Sequence, residues 1–260
     1  MHCLAGIPFD ANSSYLRGAA QGPAAIRAAL RCDSTNLWSE SGRDLGAAGA
    51  LDDAGDVAFP PGSEPFAEIE RGVSEVLDTG AKPVLLGGDH SITFPILRAF
   101  AKKHAKLSIL HVDAHPDLYD EFEGSRHSHA CAFARIMENK LAARLVQVGI
   151  RTMNAHQRAQ AERFGVEVME MKNWSADLRL EFSGPLYISI DLDALDPACA
   201  PGVSHYEPGG FTTRDAVRMI QSIRGEIVGA DIVELNPARD VQGMTAMAAA
   251  KLLKEIVAKM

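Results

Sequence analysis

Acidic and imidazole side chains recur at alternating positions in two apolar runs of the sequence, LSILHVDAHPD and LYISIDLDALDP. A β-strand directs every second side chain to the same face, so each run would present its polar residues together and its apolar residues on the opposite face. A third run, VLLGGDHS, contains another histidine near its end. Together the three runs supply four carboxylates and two imidazoles: His90, Asp113, His115, Asp117, Asp191 and Asp193.

These ligand types indicate a site for two divalent cations. Carboxylates and imidazoles without a thiolate suit Mn²⁺, with iron, cobalt, nickel or zinc as substitutes. Six residues suffice if two of the carboxylates bridge both ions. Two metal ions ~3.5–4 Å apart lower the pKa of a shared water toward ~7, which provides a nucleophile at neutral pH.

The charge of such a site favours a cationic substrate. Two divalent ions balance four carboxylates, so a hydroxide and a nearby acid such as Glu234 would leave the site negative. No cluster of lysine or arginine flanks the motifs, which argues against a phosphate ester as substrate.

Each motif alone has a simpler structural explanation. Aspartate at a strand end commonly caps a turn, and GGDHS alone is typical of a loop with a helix cap at Ser91. The occurrence of all three motifs, in order and each behind an apolar strand, favours the metal site. We interpret His104 and His111 as structural histidines, and Asp89 and Asp196 as residues that support ligands or order loops.

Short apolar runs alternate with amphipathic segments along the chain, which predicts an α/β fold with a parallel sheet covered by helices on both faces. Glycine, serine, aspartate and proline are frequent in residues 32–65, where we expect surface loops around a short strand near Asp56. No linker is visible, so we expect one domain over residues 1–260. The predicted helices cover residues 23–30, 65–77, 92–103, 130–139, 154–164, 213–223 and 244–259, the last with a core-facing stripe of Met244, Met247, Ala248, Leu252 and Ile256.

Composition excludes several classes of partner. The formal net charge is -8, the pI is about 5.6, and no basic patch stands out, so we expect neither nucleic acid nor a membrane as partner. The four cysteines are scattered without a CxxC pair, which favours reduced thiols. The chain opens on a strand-like run, without the features of a signal peptide, and the sequence therefore predicts a cytoplasmic protein.

The motifs GGDHS, DAHPD and SIDLDALDP resemble the three signature segments of the ureohydrolases, the family of arginase, agmatinase and their relatives. Other segments, including NSSYLRGAAQGPAAIR, APGVSHYEPGG and VGADIVELNPARD, are similar to the plant-type arginases. The likeness extends from Ala5 to the C-terminus. It implies a three-layer αβα sandwich around a mainly parallel eight-stranded sheet, and assembly into trimers or hexamers.

The resemblance also implies roles for individual residues. His129, in SRHSHA, matches the family histidine that passes a proton to the leaving amine, with His127 as a second choice. Glu234, in VELNP, matches the acid that binds the guanidinium group. One manganese ion would be held by His90, Asp113, Asp117 and Asp191, and the other by His115, Asp113, Asp191 and Asp193, with Asp113 and Asp191 bridging.

The expected reaction is hydrolysis of L-arginine to L-ornithine and urea, with agmatine or another guanidino acid as the alternative substrate. Selectivity between them would depend on a loop at residues 120–128, in which Arg126 either pairs with the substrate carboxylate or is merely solvated. The alternative from another functional class is a non-catalytic protein that binds metal and serves as a scaffold. The presence of His129 and Glu234 argues against it, because metal binding alone does not require them.

Overall fold

A single parallel sheet of eight strands runs through the computed structural model, which describes residues 1–260. All strand pairs are parallel, in the spatial order β2-β1-β3-β8-β7-β4-β5-β6. The predicted α/β architecture is therefore confirmed. The strands are β1 His2–Ile7, β2 Asp52–Asp56, β3 Lys82–Gly87, β4 Ser108–Val112, β5 Arg144–Ile150, β6 Glu167–Glu170, β7 Glu181–Asp191 and β8 Arg224–Val233.

Six α-helices connect the strands and a seventh follows the last strand, with ends that sequence chemistry explains. The side chains of Asn154 and Thr212 close capping boxes at the starts of α5 and α6, while Pro23 and Pro65 stand in the first turns of α1 and α2. No helix combines the length and apolar character needed to cross a membrane. The helices are α1 Gly22–Leu30, α2 Pro65–Asp78, α3 Thr93–Lys103, α4 Ala132–Glu138, α5 Ala155–Phe164, α6 Thr213–Ser222 and α7 Met244–Lys259.

The sheet has a separate hydrophobic core on each face, which makes the fold three layers deep. Val84 and Leu86 of β3 pack with helices α1, α6 and α7. Leu85, between them in sequence, packs on the other face with helices α2, α3 and α4. Alternation along the central strands thus supplies both cores at once. These strands are apolar for most of their length because neither face meets solvent.

Two details differ from the sequence predictions. In α7, Ala248, Leu252 and Ile256 are buried as expected, but Met244 and Met247 are 48% and 37% exposed because they lie in its first turn at the surface. The polar motifs also leave their strands early. β4 ends at Val112, and Asp193 lies in a short 3-10 helix, Leu192–Ala194, rather than on an extended strand.

Glycine is required where the loop after β3 meets the loop after β1. A Cβ on Gly88 would overlap the backbone carbonyl of Phe9, which accepts a hydrogen bond from the Asp89 amide at 2.9 Å. We expect Gly88→Ala to lower the free energy of unfolding by about 1–3 kcal/mol and to displace the adjacent His90. Thermal unfolding and a metal-binding titration would measure the two effects.

Gly165→Ala is the matched control for this prediction. Gly165 has a φ of 65°, and a Cβ there would meet no other atom. The control should cost about 1 kcal/mol from backbone strain and leave metal binding unchanged. A Gly88→Ala protein as stable as the wild type would contradict the close approach.

Candidate metal centre

The polar motifs meet at the carboxyl ends of four neighbouring strands, β3, β8, β7 and β4. His90 follows β3, Glu234 follows β8, Asp191 ends β7, and Asp113 follows β4. In parallel α/β sheets this edge is where ligands bind, since the loops after the strands converge there. The fold therefore gathers residues that lie more than a hundred positions apart in sequence.

The first group of donors surrounds one nitrogen of His90. Its Nδ1 lies 3.2 Å from an Oδ2 atom of each of Asp113, Asp117 and Asp191. Donor atoms about 2.1 Å from one metal ion and at right angles to each other are about 3.0 Å apart. The spacing therefore fits one ion shared by these four side chains.

The second group lies beside the first. His115 Nδ1 is 3.0 Å from Asp193 Oδ2 and 3.6 Å from Asp113 Oδ1. Asp113 thus directs one oxygen toward each group, as a bridging carboxylate would. Asp191 takes part in the first group through Oδ2, while its Oδ1 accepts the Asp193 amide hydrogen at 2.8 Å.

The motif aspartates also shape the loops that carry them. Asp113 Oδ1 accepts a hydrogen bond from the His115 amide at 2.6 Å, and Asp191 does the same for the amide two residues on. Asp89 repeats this arrangement with the Ser91 amide at 3.0 Å. Each aspartate therefore closes a local turn, which ends the strand and replaces the extended alternation assumed from sequence.

The balance of charge in the cluster calls for cations. Burial raises the pKa of Asp117 to about 6, and the charge of Asp113 adds to it. Burial alone would lower the pKa of His115, but the carboxylates of Asp193 and Asp113 outweigh it and raise that pKa to about 12. Burial and neighbouring acids also raise the pKa of Asp191 well above its usual range. Protons can offset this negative charge, and divalent cations would replace them.

Two acids of the site have strained backbones. Asp117 and Glu234 have φ angles of 50° and 66°, in the left-handed region that non-glycine residues seldom occupy. Such strain persists only where the surroundings impose it, and it concentrates at functional sites. The Asp117 carbonyl accepts hydrogen bonds from the Phe133 and Ala134 amides, which fixes the loop against α4.

His129 and Glu234 form a buried pair beside the cluster. His129 Nδ1 lies 2.8 Å from Glu234 Oε1, which also accepts the His90 amide hydrogen at 2.9 Å. The other ring nitrogen of His129 lies 2.8 Å from the Ser14 hydroxyl. Burial would lower the pKa of His129, but the carboxylate of Glu234 outweighs it and raises the pKa to about 9.

A cavity of about 190 Å³ opens over the cluster. Its inner wall includes the carboxylates of Asp117, Asp191 and Asp193, together with His129 and Glu234. No lysine or arginine lines it, so its fixed cations are limited to histidines. The remaining wall is formed mainly by Ser14, Tyr119, Phe122, Thr152, Gln157 and His205.

The structure does not bring Arg126 or His127 to this cavity, and their proposed substrate contacts need correction. The Arg126 guanidinium pairs with Asp120 at 2.8 Å and Glu138 at 2.9 Å on the protein surface. The His127 ring packs against Phe66 and Phe94. Because 120–128 is a compact loop that turns outward at these positions, only Phe122 among its residues lines the cavity.

Two of the cavity residues that sequence reasoning left unassigned lie beside His129. His205 stands 5.2 Å from His129 between ring centroids and makes no side-chain hydrogen bond, while Ser14 contacts the other nitrogen of His129. Both lie in segments that resemble ureohydrolases, NSSYLRG and GVSHYEPGG, but neither segment has metal-ligand spacing. Asp196 orders its loop as predicted, since it accepts hydrogen bonds from the Ala198, Gly209 and Gly210 amides.

Comparison with known proteins identifies relatives along the whole chain. Residues 2–258 match the model of the Arginase family. The chain is 48% identical to Arginase 1, mitochondrial, of Oryza sativa subsp. indica, over 99% of this chain and 81% of that protein. It is 47% identical to Arginase 1, mitochondrial, of Arabidopsis thaliana, over 98% of this chain and 80% of that one. The structure of arginase from Medicago truncatula has a TM-score of 0.95 and 45% identity, over 100% of this chain and 87% of that one.

The chain belongs to the arginase family. The resemblance to ureohydrolases that the motifs indicated is thereby confirmed. As an arginase-family protein the chain is a hydrolase, and its clustered carboxylates and imidazoles have the donor atoms and spacing to hold a metal ion.

The same comparison contradicts the cytoplasmic location that was predicted from the sequence, so that prediction is wrong. The rice and Arabidopsis relatives are both named mitochondrial, not cytoplasmic. The prediction rested on the first residues of the chain, and those residues do not determine its compartment.

Metal binding to this arginase-family site should release protons. The pKa of His115 is raised to about 12 and that of His90 well above its usual value, so a cation must displace protons that both imidazoles hold at neutral pH. Affinity for Mn²⁺ should therefore rise with pH, with about one proton or more released per ion. Titration calorimetry in two buffers of different ionisation enthalpy would measure the release, and identical heats in both buffers would contradict it.

The position of Arg126 gives a further prediction for this arginase-family protein. Arg126→Ala should change kcat/KM for L-arginine by less than about threefold, because it removes only surface ion pairs. Phe122→Ala, in the same loop but on the cavity wall, should have the larger effect. Steady-state kinetics of both variants would test this, and a selective loss with arginine for Arg126→Ala would restore its predicted role.

Proposed function

We propose that this protein is an arginase that hydrolyses L-arginine to L-ornithine and urea with two Mn²⁺ ions per chain. The observation that carries the proposal is a buried glutamate, paired with a histidine, beside two groups of metal-type ligands in one cavity. That arrangement offers negative charge for a guanidinium group and a proton donor for the amine that leaves. The relatives named arginase support the same reaction.

The metal assignment combines the two groups of donors with the resemblance to ureohydrolases, which adds Asp191 to the second group. One ion would be held by His90, Asp113, Asp117 and Asp191, and the other by His115, Asp113, Asp191 and Asp193. When bound, the ion pair supplies a water molecule activated at neutral pH. Oxygen-rich coordination with two imidazoles favours Mn²⁺ over the metals that prefer thiolates.

Glu234 is proposed to bind the guanidinium group. Its Oε1 is occupied by the His90 amide and His129, whereas its Oε2 has no hydrogen-bond partner in the protein. A guanidinium group donates planar, paired hydrogen bonds that a carboxylate oxygen can accept. The carbon of that group would then face the metal-site carboxylates across the cavity.

His129 is proposed to supply the proton. Hydrolysis joins the water oxygen to the guanidinium carbon and breaks the bond from that carbon to the substrate chain nitrogen, which must gain a proton to leave as an amine. With its pKa raised to about 9, His129 is protonated at neutral pH. Glu234 orients its ring through Nδ1, and the Ser14 amide nitrogen and hydroxyl lie 3.3 and 2.8 Å from Nε2, so a proton can pass between this side of the ring and the cavity through the Ser14 hydroxyl.

Agmatine is the second candidate substrate, and one observation favours it. Agmatine differs from arginine by the absence of a carboxylate, and no lysine or arginine lines the cavity to pair with that group. For arginine, the carboxylate would therefore have to bind neutral donors such as Thr152 or Gln157 on the outer wall. Other guanidino acids pose the same requirement.

Urea release by the Mn²⁺-loaded protein distinguishes the two substrates. We expect a higher kcat/KM with L-arginine than with agmatine, and ornithine as the second product. A preference for agmatine would keep the catalytic assignments and replace the substrate. Release from neither compound would overturn the proposal.

We further propose that residues 1–260 act as one catalytic domain and that the chain forms a homo-oligomer, a trimer or hexamer. The continuous sheet supports the first statement. The resemblance to the ureohydrolases, which implies assembly into trimers or hexamers, supports the second. Light scattering coupled to gel filtration would measure the mass in solution.

Replacement of His129 tests its proton-transfer role. His129→Ala should retain both metal ions and lower kcat by about 10²–10⁴-fold, the usual contribution of a positioned acid or base. His127→Ala is the control, since it removes an imidazole two residues away that packs outside the cavity. An unchanged kcat in His129→Ala, or an equal loss in both variants, would remove the assigned role.

A further inference from the structure

A row of four buried polar side chains crosses the centre of the sheet beneath the metal site. The four residues lie in register on neighbouring strands and each is fully buried. Residues in register on parallel strands point to the same face, so the side chains form a continuous layer. Buried polar groups in a sheet destabilise a fold unless each is hydrogen-bonded. The two middle residues of this row hydrogen-bond to proposed metal ligands. It consists of Asp231 on β8, Ser189 on β7, His111 on β4 and Gln147 on β5.

One half of the row fixes the ring of His90. Asp231 accepts hydrogen bonds from the hydroxyl groups of Ser189 at 2.6 Å and of Tyr187 and Thr93, both at 2.9 Å. Because a carboxylate only accepts, the Ser189 hydrogen points at Asp231, and its lone pair faces His90 Nε2 at 2.9 Å. The Nε2 atom must then carry a hydrogen, so Nδ1 is the nitrogen that would bind a cation among the three carboxylates.

The other half fixes the carboxylate of Asp113. The amide nitrogen of Gln147 donates to the Pro116 carbonyl at 2.6 Å and to His111 Nδ1 at 3.0 Å. A carbonyl cannot donate, so the amide must present its NH₂ group there, and His111 Nδ1 must accept. The His111 hydrogen is then on Nε2 and is donated to Asp113 Oδ2 at 2.7 Å.

We propose that Asp231 and Gln147, neither of which lines the cavity, are positioning residues that set the metal affinity of the site, each through one intermediate residue. Asp231 acts through Ser189 on His90, a ligand of one ion. Gln147 acts through His111 on Asp113, whose two oxygens face the two groups of donors. The inference rests on the metal assignment of the proposed function, and it predicts different effects of the two residues on the two ions.

Mn²⁺ titration of the protein after metal removal by a chelator tests the inference, with calorimetry to resolve the two binding steps. Asp231→Asn should weaken one step by about 10–100-fold, which is the usual cost of losing a group that orients a ligand. The other step should stay near its wild-type value. Gln147→Met should weaken both steps. Ser189→Ala removes the same connection to His90 at smaller structural cost, and it should reproduce the effect of Asp231→Asn even where that variant folds poorly.

Tyr187→Phe is the matched control. It removes a 2.9 Å hydrogen bond to the same carboxylate but leaves the connection through Ser189 intact, so both steps should stay at wild-type affinity. Wild-type affinities in Asp231→Asn and Ser189→Ala would overturn the inference. It would also fail if Tyr187→Phe weakened binding as strongly as Asp231→Asn, or if Asp231→Asn weakened both steps equally. A wild-type protein that binds two ions but releases no urea would instead count against the proposed reaction.

Discussion

Mutual repulsion among buried carboxylates at the ends of four central strands is the constraint on which the rest of this structure depends. Asp113, Asp117, Asp191 and Asp193 lie within a few ångströms of one another and are largely shielded from water. In so poorly solvated a place, unbalanced negative charge would be strongly destabilising. Imidazoles, protons or divalent cations must offset it, and the two groups of donors have the spacing that cations require.

The parallel sheet makes this crowding possible without unfolding the protein. Two hydrophobic cores hold the strands from both faces, so the polar edge is confined to one end of the sheet. Asp113 and Asp191 each use one oxygen to close a turn, and each has an oxygen directed at the donor groups, so the turn and ligand interpretations of DAHPD are compatible. Strained backbone at Asp117 and Glu234 completes the arrangement.

The amino-acid sequence was informative where periodicity and spacing carry the structure. Apolar runs located seven of the eight strands, the exposed edge strand β2 was expected only as a short strand near Asp56, and alternating acids located the cluster. The geometry of the loops was harder to predict, because side chains no longer alternate between the two faces of a strand where Asp113 turns the chain. The contact of Arg126 with a substrate carboxylate failed for the same reason. Its charge suggested an acidic partner, but only the folded loop shows that the partners are Asp120 and Glu138. Asp231 and Gln147 gave no signal, since their roles arise from register between strands distant in sequence.

The most direct test of the account is to locate the metal ions themselves. Anomalous diffraction at the manganese edge, from crystals of the Mn²⁺-loaded protein, would give their number and ligands. The account predicts two ions that share Asp113 and Asp191, one bound by His90 and Asp117 and the other by His115 and Asp193. A single ion, or two ions without shared carboxylates, would contradict it.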